Sequence, residues 1–536
     1  MDSFDLIDRP WISVRMRSGE LTELSLVDVF TRAHEVRTIA GDLPTQDVAV
    51  LRLLLAILRR THSEVIGPEG WRDIWEKGRL DPAPIVAYLR AHGDRFDLLH
   101  PETPFYQVAG LRTAKDELTE LSRLVADVPS GHQYFATRAG GQLNRMSFAE
   151  AARWILHCQA YDVSGIKSGA LGDDRVKGGK GYPIGIGWCG WLGVVVTCGE
   201  SLFHTLLLNL PLDPVATTDA PVWERPPQSA AAEGREWPEG PLDLLTWQSR
   251  RIRLGHDGKQ ATAVLITNGD ALHPRNRFDE EPMTSWRYNE PQTKALGSGL
   301  PAFMPRLHPQ DRSIWRGLGG LLAEGQQGDD ERLLKPGRWQ TWLGELREAE
   351  ALTGEEILRL RAVAMHYGSQ SSVVLDITDD TLRLPIDVLT DRKLRATAVG
   401  AVRDADAAAS ALGWLNVELA EAAGLSGDST RELASIAREQ AYSALERPYR
   451  DWLVTLDGTA DREGARMAWQ RTVRDITMQV GSDLVLNAGQ AAWVGREVSR
   501  SSGPVHLDAA LAELGLRRRL RKALPDAYPT TIRTET

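Results

Sequence analysis

The composition of the chain changes near residue 385, and this change constrains the fold more than any other feature of the sequence. Beyond it the sequence is rich in Ala, Leu, Glu and Arg, in helical patterns of about 25 residues each. The patterns are separated by short breaks at residues 424–428, 456–460 and 489–503. Four helical patterns with such short connections predict an antiparallel bundle. We therefore predict an α+β protein, with a large mixed α/β N-terminal domain at residues 1–385 and a C-terminal antiparallel four-helix bundle at residues 386–536.

Local patterns in the N-terminal part predict one buried helix, two hairpins and one long loop. The helix begins at Thr45, whose hydroxyl can cap it, and its apolar residues recur at helical spacing: Val48, Leu51, Leu54, Leu55 and Leu58. Strand-like runs at 251–254 and 261–267 flank a Gly-containing turn. A second pair of arms, 363–367 and 373–377, flanks the polar tip Gly368-Ser-Gln-Ser-Ser372. Residues 126–150 lack periodicity and predict the loop.

The bulk composition is that of a globular protein whose contacts with nucleic acid, if it makes any, are local. Hydrophobic residues make up 42% of the chain and charged residues 25%, and the formal net charge of −10 argues against a broad basic coat. The start of the chain lacks the layout of a secretory signal. The three cysteines, Cys158, Cys189 and Cys198, form no C-x-x-C pair. We therefore expect a cytoplasmic protein with reduced thiols.

The glycine-rich residues 165–190 carry two motifs that suggest a nucleotide. Residues 185–190 match the dinucleotide fingerprint G-x-G-x-x-G, but a strand-like run follows where that motif needs a helix. Lys177-Gly-Gly-Lys-Gly181 lacks the Walker frame, and it is equally consistent with a loop that touches a nucleic-acid backbone and with a solvated loop. A nucleotide-using enzyme built on residues 165–190 is one alternative, and it predicts that ATP or a dinucleotide stabilises the isolated protein in a thermal-shift screen.

The sequence contains no recognisable catalytic or metal-binding pattern. The adjacent pair His256-Asp257 has no further ligands at H-E-x-x-H or comparable spacing, and there is no G-x-S-x-G elbow. We therefore expect no catalytic residue, no metal and no cofactor. A basic cluster near the C terminus spreads around a predicted helix, which favours a solvated face slightly over a nucleic-acid stripe: Arg517, Arg518, Arg519, Arg521 and Lys522.

Several short stretches, taken in their order along the chain, together resemble one family. They are Phe4-Asp-Leu-Ile-Asp-Arg-Pro-Trp-Ile-Ser-Val14, Leu43-Pro-Thr-Gln-Asp47, Pro104-Phe-Tyr-Gln107, Ser164-Gly-Ile-Lys-Ser-Gly169, Trp247-Gln248 before Arg251-Ile-Arg-Leu254, and the second hairpin. In this order they resemble the large subunit (CasA) of the type I-E CRISPR surveillance complex, Cascade. The resemblance covers roughly residues 1–380 by motif, and the remaining residues match only as a helical pattern.

The resemblance implies a non-enzymatic subunit that scans double-stranded DNA for the protospacer-adjacent motif (PAM), while guide-RNA pairing reads the target. Family members grip the PAM duplex from the minor groove with three elements: a glycine loop, a lysine finger on a hairpin and a glutamine wedge. The wedge opens the duplex to start the R-loop. Tolerance of several PAM sequences is implied, because the minor groove offers a degenerate code.

The resemblance places two of these elements directly on the chain. The glycine loop corresponds to Val163, Ser164 and Gly165, of which only Gly165 lacks a side chain. The glutamine wedge corresponds to Gln370, and its neighbours are the small residues Ser369 and Ser371. A narrow tip of this kind leaves clearance for entry into a base step.

The remaining implied contacts involve a lysine, an aromatic residue and other macromolecules. The alignment is gapped around the lysine finger, and we assign the finger to Lys259 on the first hairpin, with Arg253 as the alternative. Phe135 matches an aromatic residue that docks on the 5′ handle of the guide RNA. The implied partners are the other Cascade subunits, guide RNA, target DNA and the helicase-nuclease. A second alternative is a scaffold that binds only protein and does not discriminate PAM from non-PAM duplexes.

Overall fold

The computed structural model describes residues 3–126, 128, 144–297, 299–323, 334–500 and 503–528. The chain divides into two compact units. The larger comprises Met1–Ile314, Gly325–Leu352 and Leu358–Thr381, and the smaller comprises Trp315–Glu324, Thr353–Ile357 and Leu382–Thr536. The domain boundary at residue 385 stays a prediction, because a division into compact units does not show that either part folds alone.

Helices are distributed along the whole chain and become much longer in the second unit. In chain order they are α1 (Leu26–Thr31), α2 (Pro44–Thr61), α3 (Gly67–Trp75), α4 (Pro82–Ala91), α5 (Phe148–Tyr161), α6 (Leu202–Leu208), α7 (Pro241–Leu245), α8 (Glu290–Leu296), α9 (Leu318–Leu321), α10 (Arg338–Glu348), α11 (Asp387–Thr390), α12 (Arg392–Ala423), α13 (Asp428–Leu453), α14 (Arg462–Leu486), α15 (Gln490–Val494) and α16 (Ala509–Ala523). The prediction of a mixed α/β protein with a helical C-terminal region is confirmed.

The strands form several small sheets instead of one large sheet. In chain order they are β1 (Ile12–Met16), β2 (Leu21–Leu24), β3 (Val36–Ile39), β4 (Lys167–Ser168), β5 (Lys180–Gly181), β6 (Val194–Cys198), β7 (Arg250–His256), β8 (Ala261–Asn268), β9 (Trp286–Tyr288), β10 (Phe303–Pro305), β11 (Leu334–Lys335), β12 (Ile357–Tyr367), β13 (Val374–Pro385), β14 (Arg496–Arg500) and β15 (Gly503–Leu507). The sheet orders are β2-β1-β3, β10-β9-β11 and β13-β12-β6, with the two-stranded pairs β4-β5, β7-β8 and β14-β15.

Helix α2 forms the predicted buried helix of the larger unit, but its start differs from the prediction. Pro44 occupies the first turn, where its missing N–H costs nothing, and Leu43 is the N-cap residue. The Thr45 hydroxyl does not cap the helix. It lies 2.9 Å from the Nε2 of buried His157 on α5, so it joins two core helices. The buried ion pair between Arg52 and Glu281, at 3.0 Å, ties α2 to the segment before β9.

The two predicted hairpins are confirmed, and both are longer than the sequence indicated. Strands β7 and β8 pair antiparallel, with Arg250 opposite Asn268 at one end and His256 opposite Ala261 at the other. Strand β12 lies between β13 and β6 in its sheet, and it pairs antiparallel with β6. The polar tip after Tyr367 therefore stands at the end of an arm that is anchored in a buried sheet.

The long helices of the second unit begin and end close to the predicted breaks. Helix α12 ends at Ala423 and is capped by Gly424, whose φ of +96° favours glycine. The Tyr449 hydroxyl donates to the Ala398 carbonyl at 3.0 Å, and the Trp469 indole N–H donates to the Ala401 carbonyl at 2.8 Å. These bonds join α13 and α14 to the alanine-rich face of α12. The composition did not reveal the hairpin β14-β15, which precedes α16.

The aromatic contacts of α14 generate a stability prediction. Trp469 is fully buried, and its ring lies 5.4 Å from that of Tyr449. We expect Trp469→Ala to lower the free energy of unfolding by about 3–5 kcal/mol, because it leaves a cavity in this cluster. Chemical denaturation followed by circular dichroism measures the loss. The matched control is Trp493→Ala at a side chain that is 48% exposed; equal losses in the two variants would contradict the assignment of Trp469 to the core.

Candidate nucleic-acid interface

The polar tip between β12 and β13 is a tight turn that holds Gln370 outward. Residues Ser369–Ser371 form a single 3-10 turn, and Gln370 and Ser371 both have φ near +54°. Such left-handed backbone is uncommon for residues other than glycine and marks a constrained turn. The turn is closed by the Ser371 N–H on the Gly368 carbonyl and the Ser372 hydroxyl on the Ser369 carbonyl, both at 2.9 Å. The exposed side chain of Gln370 has no hydrogen-bond partner among the residues that the structure describes.

The structure places this tip directly beside the predicted glycine loop. The Ser164 N–H donates to the Ser371 carbonyl at 2.8 Å. A second bond runs from the Tyr367 hydroxyl to the Tyr161 carbonyl at 2.7 Å. Burial raises the pKa of Tyr367, so its hydroxyl stays protonated and available as a donor. The two segments that the family resemblance assigned are therefore neighbours on one surface.

A buried carboxylate next to the glycine loop fixes the conformation of the loop. Asp162 immediately precedes the loop, and its Oδ2 accepts from Arg250 Nε at 2.5 Å and lies 2.6 Å from Lys167 Nζ. The Arg250 guanidinium also donates to the carbonyl of Val163 at 3.2 Å and to that of Gly185 at 2.8 Å. One buried arginine thus satisfies the carboxylate and the carbonyls of Val163 and Gly185, which fixes the path of the chain into Ser164.

The charge state of Asp162 follows from these neighbours. Burial by itself raises the pKa of this carboxyl group, but the Arg250 guanidinium and the Lys167 ammonium together hold the pKa below its ordinary value. The carboxylate is therefore charged at neutral pH. The sequence analysis missed Asp162 and Arg250 as parts of the site, because no local pattern connects them; Lys167 lay within one of the family stretches without a role.

Gly165 is the one residue of the loop whose backbone favours glycine. Its φ is +153°, which residues with a side chain rarely adopt, and no atom lies within 4 Å of the position that a Cβ would occupy. Val163 and Ser164 are half-buried, whereas Ile166, the next residue, is 58% exposed. The loop therefore offers backbone and one hydroxyl to the surface that it shares with Gln370.

Lys259 lies at the tip of the β7-β8 hairpin, as predicted, but not beside the other two elements. The Asp257 carboxylate accepts the N–H groups of Lys259 and Gln260, both at 3.0 Å, and Lys259 is exposed. Arg250, which contacts the glycine loop, begins the same hairpin. A strand rises about 3.3 Å per residue, so the tip is about 20 Å from that end. The structure thus leaves Lys259 apart from Ser164 and Gln370, and its role as the finger stays a prediction.

Arg253, the alternative finger, lies midway along β7 and already has partners. Its guanidinium donates to the Leu111 carbonyl at 2.9 Å and lies 3.7 Å from the Asp116 carboxylate. Phe135, the predicted guide-RNA contact, lies outside the described residues. Its role likewise stays a prediction.

The G-x-G-x-x-G match lacks the structure that a dinucleotide site needs. A 3-10 turn, Trp188–Trp191, and then strand β6 follow Gly187, where the nucleotide motif has a helix. The glycines serve close packing instead. A Cβ on Gly187 would lie 2.5 Å from the Ala160 carbonyl group, and one on Gly190 would lie 2.5 Å from the Tyr367 hydroxyl. Both glycines therefore bring residues 185–190 against α5 and the arm of the polar tip.

The chain is similar to known proteins in both sequence and structure. The family model described as CRISPR-associated protein Cse1 matches residues 5–480.

The chain belongs to the Cse1 family.

Three relatives illustrate how far the Cse1 likeness extends. The CRISPR-associated protein CasA/Cse1 of Thermus thermophilus is 30% identical over 525 residues, which cover 95% of each chain. The crystal structure of Thermobifida fusca Cse1 matches with a TM-score of 0.91 and 41% identity, and covers 98% of this chain and 99% of that one. The crystal structure of Cse1 from Acidimicrobium ferrooxidans matches with a TM-score of 0.79 and 29% identity over 98% of both chains.

Two further candidate features of this Cse1 family member are the pair His256-Asp257 and the basic C-terminal cluster. His256 is exposed, and the neighbouring Asp257 closes its turn; within the described residues no three His, Cys, Asp or Glu side chains converge on a point that could hold a metal ion. In the C-terminal cluster, Arg517 pairs with Glu513 and Arg519 with Glu418. A search of the described helices finds none with the length and apolarity to cross a membrane.

The buried Asp162 generates a prediction about stability and pH. We expect Asp162→Asn to lower the free energy of unfolding at neutral pH by about 3–5 kcal/mol, because Arg250 is left buried without its counter-ion. The pKa of Asp162 is lower in the folded state, so its stabilisation is complete above the unfolded-state pKa of about 4 and is lost as the pH falls through the folded-state value. The parent protein should therefore lose more stability than the variant between about pH 5 and about pH 3.

Chemical denaturation at several pH values measures this difference. The matched control is Asp174→Asn, since Asp174 is an exposed carboxylate in the same part of the chain. The control should follow the parent at every pH. A parent and an Asp162→Asn variant with the same acid sensitivity would refute the role of the buried carboxylate.

Proposed function

We propose that this chain is the non-catalytic large subunit of a type I-E CRISPR Cascade complex, in which it recognises the PAM of double-stranded target DNA from the minor groove. It then wedges the duplex open to start R-loop formation and helps to recruit the helicase-nuclease. Membership of the Cse1 family supports the assignment to a CRISPR system. The observation that carries the DNA-reading part is the hydrogen bond from the Ser164 N–H to the Ser371 carbonyl, which joins the proposed glycine loop to the proposed wedge.

Gln370 has the geometry that a wedge needs. Its turn is closed by backbone bonds, so the tip enters a base step without first having to be ordered. Separating stacked bases costs a few kcal/mol per step, and wedges are usually apolar for that reason. An amide offsets part of this cost by hydrogen-bonding to the separated base edges, since it offers two donors and one acceptor oxygen.

The glycine loop supplies the complementary contact with the groove. A groove about 6 Å wide admits backbone and small side chains more readily than long ones. The positive φ of Gly165 favours glycine, so the loop carries no side chain at that position. The degenerate donor and acceptor pattern of the minor groove then leads to tolerance of several PAM sequences.

The other parts of the proposal concern partners of the wider complex. Lys259 is proposed as the lysine finger and Phe135 as the contact with the 5′ handle of the guide RNA. We propose that α12, α13, α14 and α16 form an antiparallel four-helix bundle that contacts the small subunit and displaced DNA. Within a larger assembly the chain takes its position from its partners, so its net charge of −10 does not oppose DNA binding. A cytoplasmic location is part of the same proposal.

The wedge is tested by Gln370→Ala in the reconstituted complex. We expect R-loop formation on linear target DNA to slow by about tenfold or more. Each increase of about 1.4 kcal/mol in the barrier to opening slows the rate tenfold. The rate should recover on a duplex whose base pairs beside the PAM are already mismatched, because no unstacking is then required. Fluorescence from a base analogue beside the PAM measures opening directly.

A matched control keeps this experiment specific. Gln310→Ala removes another exposed glutamine, which lies between β10 and α9 and outside the proposed contacts, and should open DNA at the parental rate. A Gln370→Ala complex that opens the intact duplex as fast as the parent would rule out the wedge. A complex that is equally slow on intact and mismatched duplexes would place the defect in binding, not in opening.

PAM recognition itself is tested by reconstitution with and without this chain. Gel shifts are run on duplexes that differ only in the PAM. We expect the complete complex to bind the PAM duplex about tenfold or more tightly than the non-PAM duplex, in line with about 1–3 kcal/mol for each mismatched base pair of a site. Without the chain the two affinities should converge. If the chain changes assembly but not discrimination, it is a scaffold that binds only protein.

A further inference from the structure

The Lys177-Gly-Gly-Lys180 motif forms a tight hairpin turn beside the candidate interface. The N–H of Lys177 donates to the carbonyl of Lys180, and the N–H of Lys180 donates to the carbonyl of Lys177, both at 3.1 Å. Gly178 and Gly179 have φ values of +59° and +72°, which correspond to the two-residue turn that glycine favours. The motif therefore forms a two-residue hairpin turn that holds two lysines at a defined separation.

The geometry of this turn sets the two lysine side chains side by side. Residues directly opposite each other on paired strands project from the same face, with Cβ atoms about 5 Å apart. Two like charges in that position destabilise a hairpin. Within the described part of the chain neither lysine has an ion-pair partner, and both are exposed. An anion that binds between the two ammonium groups would relieve this repulsion.

The base of the hairpin is anchored, so the two lysines have a defined position. Ala170 is buried in a cluster with Val108, Leu111 and Leu265. Arg175 donates to the Gly269 carbonyl at 3.0 Å. These contacts attach residues 169–175 to the core and to the end of β8. The end of β8 also carries Asn268, which lies opposite Arg250 in the hairpin.

The charges around the turn are already partly neutralised by one another. Lys167 is paired with Asp162, and Arg175 is paired with Asp173 at 2.8 Å. The exposed carboxylate of Asp174 and the two lysines of the turn remain. The balance at the tip is therefore positive, in a protein whose net charge is −10.

The lysine pair lies close to the proposed DNA-reading loop. Lys180 pairs with Ser168, which follows Gly165 by three residues. A chain of three residues spans at most about 11 Å, and paired strands are about 5 Å apart, so the Cα of Lys180 lies within about 16 Å of that of Gly165. Lys167 uses the opposite face of β4 to reach Asp162, so Lys180 projects away from the buried carboxylate.

We infer that Lys177 and Lys180 form a sequence-independent clamp on the phosphate backbone of the DNA duplex, beside the loop that reads its minor groove. The inference rests on the proposed function, because it uses the position of the Val163, Ser164 and Gly165 loop on that duplex. The clamp strengthens binding of any duplex equally. It leaves the choice between PAM and non-PAM DNA to the groove contacts.

The test uses the reconstituted complex with Lys177→Ala and Lys180→Ala combined. Fluorescence anisotropy with PAM and non-PAM duplexes is recorded over a series of salt concentrations. Each lost phosphate contact lowers the slope of log K against log salt concentration by about 0.9, so we expect the slope to fall by about 2 on both duplexes. The ratio of the two affinities should not change. Arginine at both positions should retain the parental slope.

The control and the contrary outcomes separate this inference from the proposed function. Lys77→Ala combined with Lys294→Ala removes the same charge from exposed sites elsewhere and should retain the parental slope. An unchanged slope in the Lys177 and Lys180 variant overturns the clamp, as does a changed affinity ratio. The clamp is also overturned if the Lys177 and Lys180 variant assembles more weakly with guide RNA before DNA is added. A parental complex without PAM discrimination overturns the proposed function, while the slope still decides the clamp.

Discussion

The buried contact of Asp162 with Arg250 and Lys167 is the interaction on which the candidate interface depends. It satisfies a carboxylate that would otherwise be expensive to bury, and Arg250 has donors left for the carbonyls of Val163 and Gly185. Removal of one member of such a group strands the others in a low dielectric. The loop that follows therefore has one path, and the Ser164 N–H points to the Ser371 carbonyl as a consequence.

The same buried contact explains how the site is built from distant segments. The end of α5, the start of β7, the glycine-rich residues 185–190 and the arm of the polar tip all meet around it. Each is held by a buried sheet or helix, while only the loop and the tip reach the surface. A rigid base with a small exposed tip suits a part that has to enter a groove without losing much conformational freedom.

The distribution of charge distinguishes cations that hold the fold from cations that are available to a ligand. Arg338 is paired with Asp213 and Glu345, and Arg361 is paired with Asp47 and Asp379. Such arginines stabilise the chain internally. Exposed cations without an ion-pair partner among the described residues are available to a ligand instead, and in an acidic protein their position decides where a polyanion can approach.

The sequence by itself determined the mixed α/β class and the main secondary elements, although not the hairpin β14-β15. Helical periodicity located α2 and the long helices after residue 387, and glycine turns located the hairpins β7-β8 and β12-β13. Those signals act over a few residues, so they are readable along the chain. Gln370 was singled out by the order of the family stretches, because the local signals alone indicated only an exposed hairpin tip. The local signals missed the start of α2 at Pro44, where tertiary contact with His157 drew the Thr45 hydroxyl away from its predicted role.

Only the tertiary structure decided which of the predicted residues stand together. Tyr161 and Tyr367 are 206 positions apart, yet one hydrogen bond joins them beside the loop and the tip. Lys259, in contrast, was predicted for the same site and lies at the far end of its hairpin. No periodicity encodes such distances, because the partners of a buried charge such as Asp162 are chosen by the packing of elements remote in sequence. Local sequence therefore determined the individual helices and hairpins. The burial of charged groups in the folded core determined which of them lie side by side.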